Sequence, residues 1–95
     1  MIRAFPETFT LNKDGGRMLS MSLTRDYDRD GESYGAITAQ AVENASVVEI
    51  SAESSSNGIW SAHVKGKAQG CAVIELTGVA TNGSYKRRFE VEVNA

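Results

Sequence analysis

The segment Tyr85-Lys86-Arg87-Arg88-Phe89-Glu90-Val91-Glu92-Val93, near the end of the chain, decides the fold class. From Phe89 onward every second residue is apolar, and each residue between them is a glutamate. Successive side chains of a β-strand point to opposite faces of a sheet. The period of two therefore predicts a strand with one face in a core and the other in solvent.

The same alternation recurs along the chain, and turn-forming residues separate the alternating segments. Further strands are predicted at Met18–Leu23, Tyr34–Ala41, Val47–Ile50, Ile59–Val64 and Cys71–Leu76. The predicted turns are Lys13–Gly16, the polar hairpin tip Ser54–Gly58, and the pair Asn82-Gly83. About seven short strands at this spacing predict an all-β sandwich or barrel.

Length and charge restrict the class of protein further. The 95 residues suffice for one domain with its own core, so residues 1–95 are predicted to form a single domain. Residues 1–8 would form an N-terminal arm or part of the first strand, in which Phe9 and Leu11 enter the core.

A net charge of −2 argues against nucleic-acid partners. No segment approaches the roughly 18 apolar residues of a membrane span, and the N-terminus lacks an export signal, so we expect a protein made in the cytoplasm.

Four segments, taken in order, resemble the bacterial immunoglobulin-like domains, particularly those with a cadherin-like repeat pattern. They are Asp26–Glu32, an acidic turn; Asn44–Ile50, a turn and strand; Lys67–Thr77, a strand of the pattern Gly-x-Ala-x-Ile-x-Val; and Tyr85–Val93, the closing strand. The resemblance implies a seven-stranded Greek-key immunoglobulin-like sandwich without enzymatic activity. It also implies a role in adhesion or display, in bacterial surface proteins or in the virions of tailed phages.

The acidic run allows two interpretations. Asp26, Asp28, Asp30 and Glu32 are the candidate ligands of a calcium ion, and no other cofactor is expected. A helix-loop-helix calcium site would close with a glutamate at its twelfth position, where this chain has Ile37. The related cadherin-like sites also use a carboxylate in a segment that here reads Thr77–Gly83 and carries none. The alternative is a solvated acidic turn between two strands, whose carboxylates accept local backbone hydrogen bonds.

Candidate catalytic groups are few. His63 and Cys71 would need to meet, with a third group orienting the histidine, to form a nucleophilic pair. No acid or glycine-framed turn accompanies either residue, so no catalytic residue is assigned. Trp60 is predicted to be the central core aromatic, with sugar stacking as the alternative.

Partner contacts are predicted at Val73, Lys86, Arg88 and Phe5. Val73 falls on the outward face of its strand, and Phe5 belongs to the N-terminal arm. Lys86 and Arg88 would form a basic stripe with Lys65 and Lys67 if the two strands were neighbours; otherwise they are ordinary solvated residues paired with glutamates.

The expected function is that of a structural or interaction module, most specifically an accessory head or tail protein in the virion of a tailed phage, docked on a protein lattice. The first alternative is a calcium-assisted adhesion repeat on a bacterial cell surface. The second alternative is a carbohydrate-binding module.

Overall fold

The computed structural model describes residues 7–81 and 83–95 and folds them into two packed β-sheets. Within these ranges the elements are β1 Thr8–Asn12, β2 Gly16–Ser22, α1 Thr24–Arg29, β3 Ile37–Glu43, a 3₁₀ turn Ala45–Val47, β4 Val48–Ser56, β5 Ile59–Gly66, β6 Gly70–Ala80 and β7 Gly83–Asn94. One sheet has the order β1-β7-β6-β3 and the other the order β2-β5-β4. The predicted all-β sandwich of about seven strands is confirmed.

The core lies between the two sheets and is built from the alternating positions of the strands. In β7 the side chains of Phe89, Val91 and Val93 are buried, as the period of two predicts. Trp60 of β5 is fully buried in the opposite sheet, and its ring packs against Phe89 with the ring centroids 5.8 Å apart. The prediction that Trp60 is the central core aromatic is confirmed. No helix in the described ranges has the length and hydropathy to span a membrane.

The acidic run was predicted to be a turn between two strands. This is wrong in part, because its first residues belong to the helix α1, Thr24–Arg29. Leu23 and Tyr27 lie four residues apart and are both fully buried, so one helical turn places them on the same face toward the core. The amide of Tyr27 donates to the carbonyl of Leu23 over 3.3 Å. Burial of these two side chains, and not intrinsic propensity, explains so short a helix.

Most strand boundaries differ from the predicted ones by a few residues, and two of these differences change the connections between strands. Strand β3 begins at Ile37 and not at Tyr34. The Tyr34 side chain instead contacts the acidic segment, where its hydroxyl donates to Asp28. Strand β4 continues to Ser56, so the hairpin turn is only Asn57-Gly58, with φ of 54° and 79°. Two successive positive φ values are typical of the type I′ turn that joins tightly paired strands. The predicted turn at Asn82-Gly83 includes Asn82, which lies outside the described residues.

Candidate functional site

The four carboxylates of the acidic segment, Asp26–Glu32, bind different parts of the protein. Asp28 accepts a 2.7 Å hydrogen bond from the Tyr34 hydroxyl, and Asp30 accepts one of the same length from Tyr85 in β7. A carboxylate oxygen of Asp26 lies 3.7 Å from a guanidinium nitrogen of Arg87. Glu32 accepts the backbone N–H of Thr81 over 3.2 Å. The segment is therefore attached to the β6–β7 hairpin by its own acidic side chains.

A cluster of three tyrosines lies beneath these contacts. The ring of Tyr27 meets those of Tyr34 and Tyr85 edge to face, with centroid separations of 5.6 and 4.8 Å. The buried Tyr27 hydroxyl donates to the carbonyl of Val79 over 2.8 Å, which satisfies its polar end. The cluster fixes the helix against β6 and β7, and the carboxylate contacts surround it.

A shallow cleft of about 310 Å³ separates the acidic segment from the hairpin; its lining residues are Asp30, Glu32, Ala80, Gly83, Ser84 and Tyr85. Calcium requires six to eight oxygens directed at one point. Asp30 and Glu32 instead accept hydrogen bonds from Tyr85 and Thr81. Within the described ranges no group of three or more His, Cys, Asp or Glu side chains is arranged to hold a metal ion. The four predicted ligands are thus not brought together, and their geometry favours a structural role.

The contact between Tyr85 and Asp30 changes the pKa of both groups. The hydrogen bond to Asp30 and, to a smaller extent, burial raise the pKa of Tyr85 from 10.0 to about 12. The hydrogen bond from Tyr85 and, to a smaller extent, the one from Arg29 lower the pKa of Asp30 below its ordinary value of 3.8. A raised tyrosine pKa stabilises the fold fully below pH 10.0, and this contribution is lost as the pH rises to about 12. A lowered aspartate pKa stabilises the fold above pH 3.8, and this contribution is lost as the pH falls through the folded pKa.

We therefore expect Tyr85→Phe to lower the melting temperature most in the neutral range. The difference in melting temperature between wild type and variant should stay constant between pH 3.8 and pH 10.0. In this range Tyr85 is protonated and Asp30 is ionised in both the folded and the unfolded chain. The difference should shrink as the pH rises above 10.0, and again as it falls below 3.8. Thermal melts of both proteins over a pH series measure this, and subtracting the two curves removes the titrations they share. A difference that does not vary with pH would show that the hydrogen bond contributes nothing to stability.

The predicted basic contacts, Lys86 and Arg88, lie on the outer face of the β1-β7-β6-β3 sheet. Lys86 and Arg88 of β7 both bind Glu75 of β6, with nitrogen–oxygen distances of 3.4 and 2.9 Å. The hydrogen bond from Arg88, followed by the one from Lys86, lowers the pKa of Glu75. The condition for a basic stripe with Lys65, that the two strands be neighbours, is not met, because Lys65 lies in β5 of the opposite sheet. The cross-strand partner of both cations is Glu75 and not the predicted Glu90 or Glu92.

The premise that Val73 is exposed is also wrong, since only 2% of this residue is accessible. Alternation does direct its side chain away from the core between the sheets. However, β6 is an inner strand, so Val73 has neighbours on both sides, Glu43 in β3 and Glu90 in β7. Phe5, the remaining predicted contact, lies outside the described residues.

His63 and Cys71 are not brought together. His63 is on β5 and Cys71 on β6, in different sheets, and each alternates with buried residues that point into the core. The two side chains therefore point outward from opposite faces of the sandwich. Burial and, to a smaller extent, the negative charges of Glu90 and Glu92 raise the pKa of the Cys71 thiol. A raised pKa disfavours the thiolate that nucleophilic chemistry needs.

The carboxylate of Glu53 joins the two sheets at one side of the sandwich. Its Oε1 accepts the indole N–H of Trp60 over 3.0 Å and the backbone N–H of Ala39 over 2.9 Å. The irregularity of β4 between Ser51 and Ser54 includes Ala52 at a positive φ of 52°. Since the Trp60 ring is fully buried, the alternative interpretation, in which it stacks on a sugar at the surface, is wrong.

Comparison with known proteins identifies the fold. The chain is similar to the crystal structure of domains 4 and 5 of the S-layer protein SbsC, with a TM-score of 0.69 and 17% identity, covering 93% of this chain and 42% of that one. It is also similar to the titin M3 domain, with a TM-score of 0.58 and 8% identity, covering 93% of this chain and 90% of that one. The chain has an immunoglobulin-like fold. No protein-family model and no curated protein sequence matches it.

The strand order agrees with this identification. Strands β2, β5 and β4 correspond to B, E and D of an immunoglobulin-like domain, and β7, β6 and β3 correspond to G, F and C. Strand β1 runs parallel to β7, from Thr8 opposite Glu90 to Asn12 opposite Asn94. The finer assignment, to bacterial immunoglobulin-like domains with a cadherin-like pattern, remains a prediction.

Sequence reasoning missed one surface of this immunoglobulin-like domain, which we call the serine face. It is the part of the outer side of the β2-β5-β4 sheet formed by three registered rows: Met18, His63 and Ser51; Ser20, Ser61 and Ser54; and Ser22, Ile59 and Ser56. A fourth row on the same side, Gly16, Lys65 and Glu49, lies beyond one end of this face and carries charges. None of the nine residues is an Asp, Glu, Lys or Arg. Met18 and Ile59 are 58% and 43% exposed, respectively. The signals in the sequence were the alternation of Ser20 and Ser22 in β2 and the high serine content of β4.

Proposed function

We propose that this chain is a non-enzymatic structural module that docks on a protein lattice through the serine face. More specifically, we propose an accessory protein on the head or tail of a tailed-phage virion. The immunoglobulin-like fold supports the general class, since an S-layer protein and titin both contain domains of this fold. The resemblance of the four sequence segments supports the virion.

The observation that carries the proposal is the lack of charge across the nine positions of the serine face. The centre of a protein–protein interface is depleted in charged residues, because removing a charge from water costs more than removing a hydroxyl or an apolar group. Met18 supplies an exposed apolar side chain at one corner of the face, and Ile59 supplies another in the middle of the row at the opposite end. We assign them the role of anchors, while the serines allow close approach of a flat partner.

The outer face of the other sheet is a weaker candidate. Lys86 and Arg88 share the single carboxylate of Glu75, so two cations and one anion already satisfy one another. Exposed pairs of this kind contribute little energy and are screened by salt. Docking through the serine face should therefore be nearly independent of ionic strength, whereas docking through Lys86 and Arg88 should weaken as salt is added.

The experiment is co-sedimentation of the purified chain with phage heads and tails assembled without it. We expect saturable binding that Ile59→Lys weakens by about tenfold or more. Thr38→Lys, an exposed threonine of β3 in the opposite sheet, is the matched control and should bind as wild type. No binding to any particle would overturn the virion role. Binding that survives Ile59→Lys but is lost in the double variant Lys86→Ala and Arg88→Ala would transfer the docking site to the other sheet.

A thermal melt with and without calcium separates this proposal from a calcium-assisted adhesion repeat. Because Asp28, Asp30 and Glu32 already accept hydrogen bonds, we expect calcium to leave the melting temperature unchanged. A rise of several degrees would favour the adhesion repeat instead.

A further inference from the structure

Three of the four sheet edges are protected against pairing with another strand. On β3, the backbone N–H of Ile37 donates to the hydroxyl of Ser55 over 3.1 Å, and that of Ala39 donates to Glu53. These side chains occupy donors that another strand would need. Strand β4 is interrupted by its irregularity at Ala52, and β1 has only five residues. Capped donors, bulges and short lengths are the means by which proteins prevent edge-to-edge association.

Strand β2 is the remaining edge, and it lacks these protections. Its seven residues, Gly16–Ser22, pair with β5 without a register shift, contain no proline and carry only the charge of Arg17. Its other side has no neighbouring strand within the described part of the chain. A long, regular and nearly uncharged edge of this kind is a template for strand addition.

The backbone groups that face the open side of β2 can be identified. At the two ends of the ladder, Leu23 donates its N–H to Gly58, and Gly15 accepts the N–H of Gly66. Both pairs are directly opposite in the register, so odd-numbered residues of β2 exchange hydrogen bonds with β5. The even-numbered residues Gly16, Met18, Ser20 and Ser22 therefore direct their N–H and C=O groups toward the open edge. Among residues 7–81 and 83–95 we find no hydrogen-bond partner for these groups.

We propose that β2 pairs with β2 of a second copy of this chain, antiparallel, to join two three-stranded sheets into one of six strands. This inference is independent of the proposed docking on a lattice. The register that pairs all seven residues has Leu19 opposite itself and Met18 opposite Ser20 of the second copy. It keeps core-facing residues beside core-facing residues, as the alternation requires.

The charge and pattern of the edge favour a second copy as the occupant. In this register Arg17 lies opposite Met21 of the second copy, so no two like charges oppose each other directly across the new ladder. The two-fold axis satisfies both edges at once, which leaves no further edge of this type for growth into fibres. The serine faces of both copies lie on the same side of the joined sheet and form one larger uncharged surface. One seven-residue edge is small compared with a standard stable interface, so the dimer should be concentration-dependent.

Two measurements on the full chain test the proposal. Sedimentation equilibrium from micromolar to millimolar concentration should show the mass rising from 10.2 kDa toward twice that value. Amide hydrogen exchange followed by NMR should show a specific alternation. The amides of Met18, Ser20 and Ser22 should exchange rapidly in dilute protein and become protected at high concentration, whereas those of Leu19 and Met21 should be protected at both.

Variants of Ser20 separate this interface from any other. Ser20→Pro removes an outward N–H without removing a bond to β5, so it should abolish the dimer and leave the monomer folded. Ser20→Thr keeps the N–H and should dimerise as wild type. If Ser20→Pro does not fold, the exchange pattern of the wild type alone decides the question. A chain that remains monomeric at millimolar concentration, or a dimer that leaves the even-numbered amides of β2 unprotected, would overturn the proposal.

Discussion

Trp60→Ala is expected to lower the free energy of unfolding by about 3–5 kcal/mol, the range expected for truncating a large buried aromatic side chain. Trp60 is fully buried, and its ring packs against that of Phe89 from the opposite sheet. Truncation removes the apolar area that joins the two layers and leaves a cavity that the rigid sheets can fill only in part. Since domains of this size are stable by about 5–15 kcal/mol, the variant would retain little of its stability.

Two companion variants divide this cost into its parts. Trp60→Phe keeps most of the ring but removes the indole N–H that donates to Glu53, so it should cost less than the alanine variant. Glu53 would still accept the N–H of Ala39. Ile59→Ala, at the exposed neighbour in the same strand, is the control and should cost only a few tenths of a kcal/mol.

Urea denaturation followed by far-ultraviolet circular dichroism is the suitable measurement, because the alanine variant loses its only tryptophan. The denaturant midpoint should fall while the slope is unchanged. A loss below about 1 kcal/mol would mean that Trp60 contributes no more than a surface residue does, and this result would contradict its role at the centre of the core.

The fold class could be predicted from the sequence because the alternation of strands is a local property. Phe89 and Trp60 stand at alternating apolar positions, and both are buried where the pattern places them. Alternation also assigns each residue to a face of its sheet. It does not say which strands are neighbours, and the wrong predictions depend on that information. The sequence left open whether Lys65 and Lys86 form one stripe, and they do not, because the two strands belong to different sheets.

The candidate surfaces were less predictable because they depend on contacts distant in the sequence. Asp30 and Tyr85 are 55 residues apart, and Glu32 and Thr81 are 49 apart. The acidic pattern alone could not show that such partners would occupy the carboxylates. The same holds for the open edge of β2 and for the burial of Val73, which follow from the order of strands in each sheet. Strand order is a property of the assembled sandwich and not of any one segment.

Tyr27→Ala is expected to cost about 3–5 kcal/mol and to release the helix Thr24–Arg29 from the sheets. This aromatic side chain is fully buried and holds a six-residue helix, which is too short to persist by itself. Its loss removes two edge-to-face contacts, with Tyr34 and Tyr85, as well as the hydrogen bond to Val79. Backbone amides of the helix should then exchange rapidly with solvent while those of β6 and β7 stay protected.

Matched variants test whether the ring or its hydroxyl matters more. Tyr27→Phe removes only the hydrogen bond to Val79 and should cost about 0.5–1.5 kcal/mol. Tyr34→Ala, at a 44% exposed ring of the same cluster, should cost less than Tyr27→Ala because its side chain is only partly removed from water. A Tyr27→Ala variant as stable as Tyr34→Ala would show that the acidic segment is held by its carboxylates and not by the buried ring.

Gly78 provides an independent check on the same contact. A Cβ atom at this position would lie 2.6 Å from the Tyr27 hydroxyl oxygen and 3.0 Å from a methyl carbon of Leu23. Gly78→Ala should therefore destabilise the protein by about 1–3 kcal/mol through overpacking. Combined with Tyr27→Phe, which removes the nearest atom, the same substitution should cost less than it does alone. The resulting coupling in a double-mutant cycle would locate the strain between Gly78 and the Tyr27 hydroxyl, and strict additivity of the two costs would contradict the packing described for this cluster.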